Sequence, residues 1–288
     1  MSKSFKQAIF SIVPKKYQKR TKNLYYDKII MPSYDLLHLY HYGFKDFFNS
    51  ISIETTTHCN LRCTNCPNSI YDRGIVKNKK NMDIELFKKI INDLAQINYR
   101  GTVMLHFYGD PLTDERMPEL CKYVKEKLPK SFLQLNSNGF LLKVELYNIL
   151  LKSGVDNLFI TQYGEIMPPN VKKVYDFLDE NPDVKNIIQY RVFKEIKMSN
   201  RGGMLDINDP VDYERPICLY PHNSLIVDYN GNVILCCNDY FSTIKFGNLK
   251  DKNLLDVWNN HAFKKIRDDI KNKNFKLPIC KKCVGIQQ

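Results

Sequence analysis

Apolar positions recur in two alternating rhythms between residues 51 and 205. Short runs rich in β-branched and aromatic residues, at 51–55, 102–107, 132–135, 157–161 and 186–192, read as strands. Between the first two, Ile84, Phe87, Ile90, Ile91, Leu94 and Ile97 fall at helical spacing behind Met82-Asp83, a helix-start signal. Such a stripe belongs to the core. Strands alternating with helices imply an α/β protein with a parallel sheet and crossover helices. Polar residues follow the strands: Cys59 to Cys66, Tyr108-Gly109-Asp110-Pro111, Asn136-Ser137-Asn138-Gly139 and Gln162-Tyr163-Gly164. Barrel enzymes place their chemistry at that end of their strands.

The flanks read differently. Residues 1–50 are basic and aromatic (Tyr25, Tyr26, Tyr34, Tyr40, Tyr42), with weak helical periodicity, and predict short helices and loops packed on the main domain. In residues 206–288, Tyr229-Asn230-Gly231 between β-formers predicts a hairpin. An amphipathic helix follows, through Leu254, Leu255, Val257, Trp258, Phe263 and Ile266. The expected units are 1–50, 51–205 and 206–288.

Composition narrows the class. At 43% hydrophobic residues the chain can bury a large core. No run of apolar residues is long enough to cross a bilayer. Ala8–Val13 is too short for a secretory signal. Nine cysteines then point to metal or redox chemistry in a reducing, cytoplasmic compartment rather than to disulfides. The net charge of +12 suits an anionic partner, such as a nucleotide-linked substrate, nucleic acid or a membrane surface. For most of the lysines crowding the N-terminus (Lys3, Lys6, Lys15, Lys16, Lys19, Arg20, Lys22), a solvated basic face explains as much. No nucleic-acid-binding motif is present, and basic residues are not interleaved with stacking aromatics.

The cysteines fall in two sets. Cys59, Cys63 and Cys66 have C-x3-C-x2-C spacing just past the first strand. Three thiolates on one loop can hold three irons of a cube and leave the fourth open to a small molecule. A zinc knuckle with His58 as fourth ligand uses the same residues. Cys218 and Cys236, seventeen residues apart, join Cys280-Lys281-Lys282-Cys283 if the hairpin and helix fold back on one another. Four thiolates make a closed site, for a cluster or for a zinc ribbon. Cys121, in the helical stretch 117–128, is expected to be a buried small hydrophobe. Cys237 is left over beside a ligand.

The first set resembles the signature of the radical SAM superfamily, and two further stretches resemble that family in order. Tyr108-Gly109-Asp110-Pro111 is similar to its Gly-Gly-Glu-Pro motif, which binds the methionine amino group. Asn136-Ser137-Asn138-Gly139 is similar to the Ser/Thr-Asn-Gly element near the cofactor ribose. The second cysteine set, with Phe246-Gly247-Asn248-Leu249 and Trp258, resembles the short "twitch" form of the SPASM extension. Three departures stand out: Asn65 in place of an aromatic residue, Tyr108 for the first Gly, and Asp110 for Glu. The first bears on the adenine contact; the other two shift the expected ammonium contact toward backbone carbonyls.

The resemblance implies a partial (β/α)6 TIM barrel with a small C-terminal hairpin-and-helix twitch unit. It implies S-adenosyl-L-methionine and two 4Fe–4S clusters as cofactors. Cys59, Cys63 and Cys66 would hold one cluster, and Cys218, Cys236, Cys280 and Cys283 the other. Arg201, in Ser199-Asn200-Arg201-Gly202-Gly203, would reach the cofactor carboxylate or the substrate; a surface loop also explains this segment. Gln162, Tyr163 and Glu165 stand where substrate would meet the fourth strand, and an exposed loop explains them too. The implied reaction starts with a 5′-deoxyadenosyl radical that takes hydrogen from a carbinol carbon of a sugar-like or cyclitol substrate. It ends in a ketone, the last electron passing to the auxiliary cluster. A flavodoxin- or ferredoxin-type protein would supply the first electron. If Cys237 returns a hydrogen atom, the same abstraction gives an epimer. Maturation of a ribosomal peptide is a third outcome, disfavoured by the lack of a peptide-binding module ahead of the barrel. The non-enzyme alternative is a zinc-binding interaction protein.

Overall fold

The computed structural model describes residues 21, 24–193, 200–206 and 218–285. The N-terminal basic cluster and Ser199 lie outside them. Five parallel strands follow the expected order: β1 (Ser50–Ile53), β2 (Thr102–Met104), β3 (Phe132–Ser137), β4 (Asn157–Gln162) and β5 (Ile188–Val192). Crossover helices separate them: α2 (Ile84–Gln96), α3 (Met117–Lys127), α4 (Val144–Lys152) and α5 (Pro169–Glu180). A helix of the N-terminal flank, α1 (Met31–Tyr42), precedes β1.

Local chemistry accounts for these elements. Asp83 caps α2, its carboxylate accepting from the N–H groups of Glu85 and Leu86 at 3.0 Å each. Phe87, Ile90, Ile91 and Leu94 are buried as the spacing predicts, whereas Ile84, in the first turn, is exposed. In β1 and β4 most residues are buried, as in a parallel sheet covered on both faces.

The C-terminal unit forms the expected hairpin and joins it to the main sheet. After a short helix, α6 (Tyr220–Asn223), its first strand, β6 (Ser224–Val227), pairs parallel with β1, Ser50 opposite Ser224. β7 (Asn232–Ile234) and β8 (Lys245–Asn248) then add antiparallel strands, giving one sheet in the order β5-β4-β3-β2-β1-β6-β7-β8. Asp228-Tyr229-Asn230-Gly231 makes the hairpin turn, with Gly231 at φ +85°. The expected amphipathic helix is two, α7 (Leu254–Trp258) and α8 (His261–Lys271), because Asn260 caps a new start by accepting from Ala262 N–H at 2.8 Å. A last helix, α9 (Pro278–Val284), carries Cys280 and Cys283.

The segment before β1 is locked to α7 and α8. Trp258 Nε1 donates to Asp46 O at 2.9 Å. Arg267, fully buried, pairs with the Asp46 carboxylate at 2.7 Å, donates to Trp258 O and stacks 3.8 Å from the Trp258 ring centroid. Arg267→Ala is expected to cost about 2–4 kcal/mol through the cavity and the lost partners, and Arg267→Met, which keeps the stem, less. Urea unfolding of the two variants checks this.

Candidate active site

The C-terminal strand ends converge on a cavity of about 470 Å³. Its lining includes Cys59, Cys63 and Cys66 together with Cys237, Tyr108, Gly109, Asp110, Asn136, Ser137, Asn138 and Arg201. Tyr163 also lines it. Pro111 is buried at the start of a 3-10 turn, outside the lining. Gln162 accepts from the Tyr190 hydroxyl and donates to Gly164 O, and neither it nor Glu165 lines the cavity.

The cysteine loop rests on the β2 turn. Asp110 N–H donates to His58 O at 2.8 Å, and a Cβ on Gly109 would stand 2.1 Å from Thr56 O. Only glycine permits that approach. The Asp110 carboxylate is buried and accepts from Leu112 N–H (3.0 Å), Ser137 Oγ (2.9 Å) and Asn138 N–H (2.8 Å). Burial raises its pKa, and these donors hold it down. Asp110 thus fixes the β3 turn against the β2 turn. Asn138 in turn donates to Asn60 Oδ1 at 2.9 Å and points its amide at Cys59 Sγ, 4.0 Å away.

A second set of contacts ties the loop to residues 237–240. Tyr108 OH donates to Cys237 O at 2.8 Å. Asn68 donates to Tyr108 O and accepts from Tyr240 OH. Arg73 pairs with Glu54 and donates to Tyr240 O. Glu54 is fully buried; loss of water pushes its carboxyl up to about 7, against the pull of Arg73 and of the Tyr229 N–H.

The thiols fit iron–sulfur clusters. All nine cysteines are free of disulfides. Burial raises the Cys59 thiol to about 12 and Cys63 to about 11, and each is raised further by its neighbours in the set. Cys236 is raised by burial and by Cys237, Cys218 and Cys280; Cys280, at about 12, by burial, Cys218 and Cys283. Cys236 and Cys280 thus both lie within electrostatic reach of Cys218. Asn238 serves two of them, its backbone N–H 3.4 Å from Cys236 Sγ and its side-chain amide 3.3 Å from Cys283 Sγ. Amide donors to sulfur are a usual setting for cluster thiolates. His58 Nδ1 faces Gly74 O at 2.9 Å.

Residues that motif reading missed also line the cavity: Ser52, His106, Thr161, Arg191 and Phe193. Their only sequence signal is a polar or aromatic side chain at or near a strand end. Arg191 donates to Thr161 Oγ1 at 2.9 Å and stacks 4.3 Å from the Phe159 ring centroid. Neither Arg191 nor Arg201 has a carboxylate partner among the described residues, and Arg201 Nε is buried without a hydrogen bond. Arg201 lies 6.0 Å from the Tyr108 ring centroid, in a left-handed run with Gly202 and Gly203.

Burial pushes the His106 imidazole down to about 4, and its Nδ1 is buried without a partner among the described residues. The folded chain therefore keeps the ring neutral where the unfolded chain, with an ordinary value near 6.5, takes up a proton. Stability is expected to fall as pH drops from about 6.5 toward 4, by at most about 1.4 kcal/mol per pH unit from this group. His106→Gln should remove that component of the slope, read by urea unfolding across the window.

Comparison with known proteins agrees with this geometry. Residues 53–162 match the model of the radical SAM superfamily, and residues 218–284 match SPASM, an iron–sulfur cluster-binding domain. The chain thus carries a radical SAM domain and a SPASM-type domain, its cofactors are S-adenosyl-L-methionine and iron–sulfur clusters, and it is an enzyme of the radical SAM oxidoreductase type. It is similar to the S-adenosyl-L-methionine-dependent 2-deoxy-scyllo-inosamine dehydrogenase of Niallia circulans, at 28% identity over 83% of this chain and 94% of the relative. The crystal structure of BtrN in complex with AdoMet and 2-DOIA superposes with a TM-score of 0.73, at 29% identity, over 82% of this chain and 92% of BtrN. A more distant relative is the tungsten-containing aldehyde ferredoxin oxidoreductase cofactor-modifying protein of Pyrococcus furiosus, at 22% identity over 80% of this chain and 86% of the relative. The zinc-binding interaction protein is thereby set aside.

Proposed function

We propose that this enzyme oxidises a carbinol carbon of a sugar-like or cyclitol substrate to a ketone. One observation carries the reading: a single cavity is lined both by the first cysteine set and by Cys237, the neighbour of Cys236 in the second set. Cys59, Cys63 and Cys66 would hold the cluster that binds S-adenosyl-L-methionine, and Cys218, Cys236, Cys280 and Cys283 the auxiliary cluster. When bound, these groups supply the radical that takes the hydrogen atom and the sink for the last electron. The balance is one hydrogen atom to the 5′-deoxyadenosyl fragment, one proton from the hydroxyl and one electron to the auxiliary site. A flavodoxin- or ferredoxin-type carrier delivers the first electron, in a cytoplasmic setting. Residues 51–205 form the core unit and 206–288 the cluster unit in this reading, behind a flank of residues 1–50.

The remaining residues supply position and charge. Gly109 and Asn138, held through Asp110, present backbone and amide groups to the cofactor. Arg191 and Arg201 offer two guanidinium groups to a cavity whose one lining carboxylate, Asp110, already accepts from its neighbours. One suits the cofactor carboxylate; the other favours a substrate with an anionic handle, such as a nucleotide-linked sugar. Thr161, Tyr163, Asn136 and neutral His106 suit a polyhydroxyl body.

Cys237 supports a second reading, because it lines the cavity and burial, against the pull of Arg201, lifts its pKa to about 11, which keeps the S–H that a hydrogen-atom donor needs. As a hydrogen-atom donor it would yield an epimer. Turnover in deuterated water separates the two. Oxidation predicts a ketone, 5′-deoxyadenosine in equal amount and a Cys237→Ala variant that keeps most of its turnover. Epimerisation predicts solvent deuterium at the reacting carbon, lost in that variant.

A further inference from the structure

The loop between β7 and β8 carries Cys236 and Cys237, and two kinds of bond hold it. Inside, one carboxylate folds the loop on itself. Asp239 accepts from Thr243 N–H at 2.9 Å, from Thr243 Oγ1 at 2.7 Å and from Ile244 N–H at 2.9 Å, while its own N–H donates to Cys236 O at 3.1 Å. A loop braced in this way still needs outside bonds to keep one orientation toward the cavity. Those bonds run to the first cysteine loop and to the end of β2.

Asn68, two residues after Cys66, stands at their centre. Its buried carboxamide uses both ends: Oδ1 accepts from Tyr240 OH at 2.8 Å, and Nδ2 donates to Tyr108 O at 3.0 Å. Tyr108 OH returns to Cys237 O at 2.8 Å, which closes a circuit from Tyr240 through Asn68 and Tyr108 back to the β7–β8 loop. The Tyr108 and Tyr240 rings meet edge-on, 4.7 Å between centroids, and Arg73 donates to Tyr240 O. The amide is also packed against Gly74, where a Cβ would stand 2.7 Å from it, and Gly74 O accepts from Cys59 N–H at 3.1 Å. Moving a buried amide in this setting leaves polar groups unpaired away from water, so the circuit resists distortion. Neither Asn68 nor Tyr240 lines the cavity. Their part is therefore to hold other residues rather than to touch the reactants.

We propose that Asn68 is a positioning residue that, through Tyr240 and Tyr108, sets the separation between the two cysteine sets, an inference that rests on the reading that both sets hold clusters. A substrate that has given up a hydrogen atom must still release a proton and one electron, and that electron goes to the auxiliary site, so the separation governs how readily it leaves. The test is pulsed dipolar electron paramagnetic resonance of the anaerobically purified, reduced full chain. It reads the separation between two paramagnetic clusters and needs no substrate. The wild type is expected to give one narrow distribution of distances. Asn68→Leu, which nearly keeps the shape and removes both side-chain bonds, should widen it by about 1 Å. Tyr240→Phe removes one bond and should widen it less, with iron at about eight per chain in both variants. Asn78→Ala is the control, because that side chain donates to Asp72 O within the same loop and should leave the width alone. An unchanged width in either Asn68→Leu or Tyr240→Phe at full iron content overturns the proposal. So does equal widening in Asn78→Ala, which would mean general loosening of the loop. Loss of about four irons in both test variants would also overturn it, by giving Asn68 to the fold of the first cluster site alone. A wild type without two magnetically coupled clusters would overturn the underlying reading, and this inference with it.

Discussion

Replacing any one of Cys59, Cys63 and Cys66 by alanine is expected to abolish reductive cleavage of S-adenosyl-L-methionine, lowering 5′-deoxyadenosine formation by more than about a thousandfold. Loss of residues that only support metal ligands commonly costs 10–100-fold, and a direct ligand stands closer to the chemistry. The three thiols share one short loop. Burial raises all three, and repulsion within the set adds to it for Cys59 and Cys63, so the thiols stay protonated unless a cation lies between them. Removing one leaves a cube with too few anchors and two buried thiols with no reason to ionise. Iron content should fall from about eight per chain to about four, the auxiliary set being untouched. Cys121→Ala is the control. That thiol is fully buried on α3, and its loss should leave iron and cleavage alone. Iron analysis and chromatography of 5′-deoxyadenosine read both results.

Asp110→Ala is expected to destabilise the fold by about 3–5 kcal/mol and to raise the KM for S-adenosyl-L-methionine by at least about tenfold. The carboxylate is the shared acceptor of two strand-end turns, and alanine leaves Leu112 N–H, Ser137 Oγ and Asn138 N–H without it. Once loosened, Asn138 no longer reaches Asn60 and Cys59 as a fixed donor. Asp110→Asn keeps the shape and one acceptor oxygen, so its cost should be about 1–3 kcal/mol. Equal loss in the two variants would contradict the assigned role, because shape alone would then explain it. Thermal melting and initial rates across cofactor concentrations separate stability from binding.

The cysteine loop and Asp110 also show where sequence stops being sufficient. The cysteine spacing, the α2 stripe and the order of the first five strands are legible because each is a local pattern. Asp110 is legible as part of a turn, but its partners Ser137 and Asn138 lie on another strand end, and no local pattern names them. The pairing of β6 with β1 is hidden for the same reason. A four-residue strand such as Ser224–Val227 fits equally well beside β7 alone or beside both. The break between α7 and α8 turns on one capping side chain, Asn260, within a continuous apolar rhythm. His106 and Arg191 sit in or beside strands as ordinary residues, and only the cavity gives them a role. Strand ends shifted too, β3 running on through Asn136 and Ser137, which read as turn residues.

The most direct test of this account is electron paramagnetic resonance of the anaerobically purified, reduced protein before and after S-adenosyl-L-methionine is added. The account predicts a cluster signal whose shape changes on addition, with the auxiliary cluster's contribution retained when Cys59, Cys63 and Cys66 are replaced. A signal indifferent to the cofactor, or colourless protein holding zinc in place of iron, would contradict it.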